Sequence, residues 1–155
     1  MKIFVDGDSC PVKETIVAIA AEKQVAVVFV VSTSGYFDRG WNVQTVMVDS
    51  APQAADIAII NRLEAGDIVV TQDYGLALLV LGKRGKAISP RGRRYTDDNI
   101  DRLLQQRQMH AEARKAGARL KGPRKRSGQD TARFSQNFRR LLDECLHHNS
   151  EEIPE

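Results

Sequence analysis

The sequence predicts an α/β protein in which helices cover both faces of a parallel sheet, giving three layers. Short apolar runs that are typical of strands alternate with longer segments that have helical periodicity. Two of these runs, residues 3–5 and 25–31, are continuously apolar, as in strands that are buried on both faces. The length of 155 residues suits one domain with an appendage.

The first half of the chain contains three predicted strands and two predicted helices. Pro11 favours a helix start, because the missing N–H of proline is not needed in the first helical turn. Gly66 is a typical helix end. The predicted elements are a strand at 3–5, a helix at 11–23, a strand at 25–31, a loop at 32–42, a strand at 43–48 and a helix at 52–65. The loop contains three aromatic side chains that would suit base stacking or pinning of the loop: Tyr36, Phe37 and Trp41.

The second half continues the alternation and then changes character. A strand at 67–71, a helix at 74–83 and a strand at 87–88 complete the predicted sheet region. The helix at 74–83 is apolar on nearly every face and is expected to be buried. We divide the chain into an α/β domain at 1–116, a basic flexible loop at 117–130, and a C-terminal helix with an acidic tail at 131–155 that packs on the same domain.

The charge is distributed very unevenly. Residues 1–82 contain 5 Lys/Arg and 10 Asp/Glu, whereas residues 83–140 contain 18 and 5, so the net charge changes from −5 to +13. This basic segment predicts a polyanionic partner, with nucleic acid, and RNA in particular, as the favoured class. Two cysteines without metal-ligand spacing favour a reducing, cytoplasmic location. No apolar run approaches the roughly 20 residues of a membrane span, so no membrane partner is expected. A homo-oligomer remains open.

Two acids follow predicted strands. Asp6 follows the strand at 3–5, and Asp73 follows the strand at 67–71. In open α/β sheets this carboxyl edge is where ligands bind, and the ends of neighbouring strands lie about 4.8 Å apart. Asp8 follows two residues after Asp6 and has an alternative role, because either Asp8 or Ser9 would suit the cap of the next helix.

Asp56 is the third acid of interest. It shares one helical face with Ile60 and Leu63, and an acid on an apolar face is costly to bury unless it is paired or binds a metal. The alternative is that Asp56 faces solvent while the opposite face turns inward, although that face includes Arg62. We favour an inward Asp56.

Carboxylates that gather at one point repel each other, and a divalent cation removes the conflict. Oxygen ligands suit Mg²⁺ or Mn²⁺, which promote displacement at phosphorus. We therefore predict metal-dependent phosphodiester cleavage, with Asp8 as an additional ligand or water-orienting base. Lys13 and Ser32 would support the site by binding phosphate or metal-bound water. The alternatives are that Lys13 is a solvated lysine of the first helical turn and that Ser32 only ends its strand. The predicted phosphate contacts are Arg91, Arg93, Arg94, Lys121, Arg124, Lys125 and Arg126.

Four ordered motifs give the chain a family resemblance. They are Asp-Gly-Asp-Ser-Cys-Pro-Val-Lys at 6–13, Ala-Asp-Ile at 55–57, Val-Thr-Gln-Asp at 70–73 and Pro-Arg-Gly-x-x-Tyr-Thr-x-x-Asn-Ile at 90–100. Together they resemble the bacterial YaiI/YqxD family, over nearly the whole chain. The resemblance implies a fold similar to PIN-domain nucleases, in which Asp6, Asp56 and Asp73 fall on the metal-binding acids and Thr71 supports the site. For a fourth acid, Asp8 is nearest in sequence. The alternatives Asp97, Asp98 and Asp101 also suit a helix first turn. The Asp-Gly-Asp start and the long basic C-terminal part depart from ordinary PIN domains.

Two other functions fit parts of the sequence. A phosphatase of the haloacid-dehalogenase type would use Asp6 as nucleophile and Asp8 as acid/base, and a trapped aspartyl-phosphate on Asp6 would identify it. A nucleic-acid-binding protein without turnover would use the basic segment alone, and binding without cleavage in Mg²⁺ and Mn²⁺ would identify that function.

Overall fold

The computed structural model describes residues 1–8, 10–32, 40–122 and 124–151, and side chains as far as His147. The strands are β1 Lys2–Asp6, β2 Ala26–Val31, β3 Val43–Met47, β4 Ile68–Val70, β5 Lys86–Ile88 and β6 Arg94–Tyr95. The helices are α1 Lys13–Glu22, α2 Ala54–Arg62, α3 Tyr74–Gly82, α4 Asp97–Lys115 and α5 Gly128–Glu151. Most of the predicted loop at 32–42, including Tyr36 and Phe37, lies outside the described residues, and Trp41 is exposed.

The strands form one sheet in the order β3-β2-β1-β4-β5-β6. All neighbouring pairs are parallel except β5 and β6, which are antiparallel. The predicted mostly parallel α/β sheet is therefore confirmed. Strand β6 has only two residues and was not among the predicted strands. A tight turn brings it back along β5, with the Ser89 amide donating to the carbonyl of Arg93 at 2.8 Å.

Helices cover both faces of the sheet, as the fold class requires. On one face, α1 and α5 pack over alternate residues of β1 and β2. On the other face, α2, α3 and α4 pack over the remaining residues of the same strands. The central strands are therefore apolar at every position, because each side chain enters one of two cores. In the part of the chain that the structure describes, no helix combines the length and the apolar character that crossing a membrane requires.

The prediction that α3 is buried holds for only part of its surface. Leu76, Ala77 and Val80 are buried, but Leu78 is 42% exposed and Leu79 is 53% exposed. A single helix on the outer layer can bury one face against the sheet and a second against a neighbouring helix. The remaining face of α3 contacts solvent although its residues are apolar.

Gly7 allows the end of β1 to lie close to β2. Its amide donates to the Val30 carbonyl at 2.9 Å, and an added Cβ would lie 2.6 Å from Cγ1 of Val31. We expect Gly7→Ala to lower the free energy of unfolding by about 1–3 kcal/mol, because the new methyl group overpacks the core. Urea unfolding measures this change.

The control is Gly82→Ala at the end of α3, where an added Cβ meets nothing within 4 Å. Its stability should equal or slightly exceed that of the wild type, since alanine favours helix. If Gly7→Ala unfolded with the same urea midpoint as the wild type, the two strands would not be closely packed at this point.

Candidate active site

Asp6 and Asp73 come together because β1 and β4 are neighbouring parallel strands. Val5 pairs with Val70, so Asp6 at the end of β1 lies beside Thr71. The Thr71 hydroxyl donates to Oδ2 of Asp6 at 3.4 Å and accepts from the Asp73 amide at 3.0 Å. Thr71 is buried and joins the two acidic positions through one side chain. The structure thus places Thr71 between the two acids.

Asp73 also caps the N-terminus of α3. Its Oδ1 accepts from the amides of Gly75 at 2.8 Å and Leu76 at 3.3 Å. The Arg107 guanidinium of α4 lies 3.6 Å from the same oxygen. These contacts fix the carboxylate at the carboxyl edge of the sheet. Arg107 was missed by the sequence analysis, because nothing in an amphipathic helix shows which of its arginines reaches an acid on another element.

Asp56 is half-buried in the first turn of α2, and in its protonated form its carboxyl group donates a hydrogen bond to Asp73. Burial raises the pKa of Asp56 to about 6, and the carboxylates of Asp73 and Asp6 add to the effect. The buried face of α2 is formed by Ala58, Ile59 and Leu63. Asp56 therefore lies at the boundary between the buried and the solvent-facing sides of α2, and its carboxyl group is turned toward the other acids.

Asp6 is affected by the same neighbours. Burial raises the pKa of its carboxyl group, the hydrogen bond from Thr71 opposes the shift, and the carboxylates of Asp73 and Asp8 raise it further. Two of the clustered acids thus have raised pKa values, and in both cases another carboxylate contributes. This is the electrostatic signature of acids that are held close together.

Asp8 is exposed and does not cap α1. Its Oδ1 accepts from the Ser32 amide at 2.9 Å, which joins the chain after β1 to the chain after β2. The N-cap position of α1 is Val12, and no side chain caps it. The capping role proposed as an alternative for Asp8 is therefore wrong, whereas Ser9 lies outside the described residues. Lys13 begins α1 and is half-buried.

The donor set of the acidic edge consists of carboxylate oxygens, which are the ligands that Mg²⁺ and Mn²⁺ prefer. Within the described ranges, however, no three Asp, Glu, His or Cys side chains form a group that could hold a metal ion as they stand. The acids interact pairwise, Asp6 with Asp73 and Asp56 with both of them. The oxygen ligands therefore suit a hard divalent cation, although the acids as placed do not form a complete ligand set among the described residues.

A cleft of about 690 Å³ opens beside this edge. Pro11, Gln72 and Tyr74 form the wall next to the acids. The opposite walls carry five arginines, namely Arg91, Arg93, Arg124, Arg126 and Arg133. Four of them were among the predicted phosphate contacts. Arg133 was missed, because its position on α5 becomes visible only when the helix docks against the turn after β5.

Asp130 holds part of this arginine cleft together. Its side chain is fully buried, and its Oδ1 lies 2.7 Å from Arg124 and 3.7 Å from Arg133. Its Oδ2 accepts from the Ser127 amide at 2.9 Å, as in a capping box at the start of α5. The hydrogen bonds from Arg124 and Ser127 lower the pKa of Asp130 to about 2. This capping arrangement explains why α5 begins three residues before the predicted start.

Three of the predicted phosphate contacts do not line the cleft. Arg94 turns toward α5, where it lies 2.6 Å from Glu144, and it does not line the cleft with the other arginines. Lys121 and Lys125 are exposed on the basic loop. Arg126 does line the cleft and donates to the Thr131 hydroxyl at 3.2 Å.

Comparison with known proteins agrees with the motifs. Residues 4–144 match the family model described as "Uncharacterized BCR, YaiI/YqxD family". A UPF0178 protein of Exiguobacterium sibiricum is 46% identical over 93% of this chain and 98% of its own length. Another, from Alkaliphilus metalliredigens, is 41% identical over 98% of both chains. A crystal structure of a mutant of Rae1 (YacP) from Bacillus subtilis is more distant, with 16% identity and a TM-score of 0.42 over 93% of this chain and 99% of that chain. The chain belongs to the YaiI/YqxD family.

Proposed function

We propose that this protein hydrolyses phosphodiester bonds in nucleic acid, with RNA as the favoured substrate, using Mg²⁺ or Mn²⁺. The observation that carries the proposal is that Thr71 joins Asp6 and Asp73 at the carboxyl edge of the sheet, with Asp56 of α2 near enough to interact with both and an arginine-lined cleft beside them. Acids that raise one another's pKa are typical of functional sites.

Asp6, Asp56 and Asp73 would hold the cation. Such an ion supplies Lewis-acid stabilisation of the charge that develops at phosphorus and makes water easier to deprotonate. The negative charge of the three carboxylates, which is unfavourable when they stand alone, is the charge that a divalent cation requires. Thr71 keeps Asp6 and the Asp73 backbone in register.

The remaining residues of the site have separate tasks. Asp8, which is exposed at the same edge, would orient water or complete the ligand set. The arginine cleft would hold phosphate groups, because guanidinium groups bind phosphate oxygens through paired hydrogen bonds. An acidic edge alone repels a polyanion, so substrate binding depends on the neighbouring arginines.

The test is cleavage of a labelled single-stranded RNA of about 20 nucleotides by the purified chain in Mg²⁺, in Mn²⁺, or with a chelator. We expect cleavage with either metal and none with the chelator. The same preparation of an Asp73→Asn variant shows whether a contaminating nuclease is responsible. Binding without cleavage across several RNA sequences would instead favour a non-catalytic RNA-binding protein, and a phosphorylated Asp6 would favour a phosphatase.

A further inference from the structure

We propose that the arginine cleft binds the terminal phosphate of an RNA strand, so that the protein acts at phosphorylated strand ends. The proposal rests on the proposed function, because the acidic edge beside the cleft is taken as the place of cleavage. It adds the class of substrate that the site prefers, which neither the family nor the acids specify.

The charge of the cleft exceeds what an internal phosphate needs. Five arginines surround about 690 Å³, and the buried carboxylate of Asp130, which contacts two of them, offsets only one positive charge and leaves a clear positive excess. An internal phosphodiester has one negative charge, whereas a terminal phosphomonoester has about −1.5 to −2 at neutral pH and three strong acceptor oxygens. Several guanidinium groups around one small volume therefore match the terminal group better.

The walls of the cleft also favour an end over a continuous strand. The turn after β5, the basic loop and α5 are joined to one another by hydrogen bonds. The Arg91 side chain donates to the Arg124 carbonyl, and Asn137 donates to the Gly92 carbonyl at 2.8 Å. Arg124 in turn contacts Asp130 of α5 at 2.7 Å. These hydrogen bonds hold the three segments against one another, and Gln72 and Tyr74 line the side of the cleft next to the acids.

The side of the cleft next to the acids suits the base of the terminal nucleotide. Tyr74 lies there, with its ring edge-to-face against Tyr95 at a centroid distance of 5.7 Å. Aromatic rings hold bases without selecting a sequence, at about 1–3 kcal/mol per base. The cleft volume falls in the range of pockets that enclose a small ligand, about 300–1,000 Å³. A terminal nucleotide would thus place its phosphate among the arginines and the following phosphodiester toward the acids.

The experiment measures binding in the presence of a chelator, so that no cleavage occurs. Fluorescence anisotropy compares RNAs of about 10 nucleotides that carry a phosphate or a hydroxyl at the 5′ end, and a second pair that differs at the 3′ end. We expect one phosphorylated end to bind about tenfold more tightly than its hydroxyl counterpart. The two pairs identify which end the cleft takes.

Two variants connect the preference to the cleft. Arg93→Ala removes an exposed arginine that takes part in no ion pair among the described residues, so the fold should be unaffected. Arg124→Ala removes the arginine that Asp130 positions. Both should reduce the ratio of affinities toward one. Arg114→Ala, on the exposed end of α4, is the matched control and should keep the wild-type ratio.

Equal affinity for phosphate and hydroxyl ends would overturn the proposal, as would a preference that both cleft variants retain. The result is independent of hydrolysis. A preserved end preference in a protein that never cleaves RNA would refute only the nuclease. Cleavage of RNA without any end preference would refute only the end-binding role of the cleft.

Discussion

Asp73→Asn is expected to lower the rate of metal-dependent RNA cleavage by about 100-fold or more while leaving the fold intact. Asparagine is as good an N-cap as aspartate, so the hydrogen bonds from Gly75 and Leu76 can be kept. The Arg107 contact at 3.6 Å joins exposed side chains and contributes little to stability. The substitution therefore removes one negative charge from the acid cluster and little else. The measurement is kcat/KM in saturating Mn²⁺, together with a thermal melting curve.

The matched control is Asp49→Asn. Asp49 is an exposed acid shortly after β3, at the same edge of the sheet but two strands away from β1. Its removal lowers the negative charge of the edge by the same amount without touching the cluster, so the rate should stay at the wild-type value. A wild-type rate in Asp73→Asn would exclude Asp73 as a metal ligand. An equal loss in both variants would indicate a general effect of charge.

The sheet and two of its acids could be predicted because they depend on local signals. Continuous apolar runs identify β1 and β2, and an acid that directly follows such a run must lie at the carboxyl edge. Adjacency of β1 and β4 was then sufficient to bring Asp6 and Asp73 together. Asp56 was harder, since it lies at the margin of the buried face of α2, where helical periodicity distinguishes faces poorly.

The arginine cleft could be predicted only in part, because its composition depends on how α5 docks. Arg91 and Arg93 follow β5, and sequence position alone placed them near the edge. Arg94, one residue further, belongs to β6 and points to Glu144 of α5 instead. Arg133 lines the cleft from the same helix, where its guanidinium group lies near the carboxylate of Asp130. A contact between segments some 50 residues apart leaves no trace in local charge patterning.

Asp56→Asn is expected to have opposite effects on activity and stability. The pKa of Asp56 is about 6 in the folded protein and 3.8 in the absence of neighbours, so the folded state holds the proton more tightly than the unfolded state. Ionisation of Asp56 therefore costs stability. The cost is absent below about pH 4, grows as the pH rises from about 4 to about 6, and is constant above that range.

Asparagine cannot ionise and avoids this cost. We expect Asp56→Asn to be about 1 kcal/mol more stable than the wild type at pH 8 in a chelator, after allowance for the solvent exposure of the side chain. At pH 4 the two proteins should be equally stable. Urea unfolding of both proteins at both pH values gives the comparison.

The same substitution should lower metal-dependent cleavage by about 100-fold, because an amide is a much weaker ligand for Mg²⁺ or Mn²⁺ than a carboxylate. A residue with a purely structural role would lose stability when replaced, and one that is merely exposed would change neither property. A variant that gains stability but loses activity is thus specific to an acid whose ionised form is needed for activity but is destabilised by burial and by neighbouring carboxylates. A less stable Asp56→Asn protein at pH 8 would mean that the ionised carboxylate already has a favourable partner, and the site would then have no need of a cation.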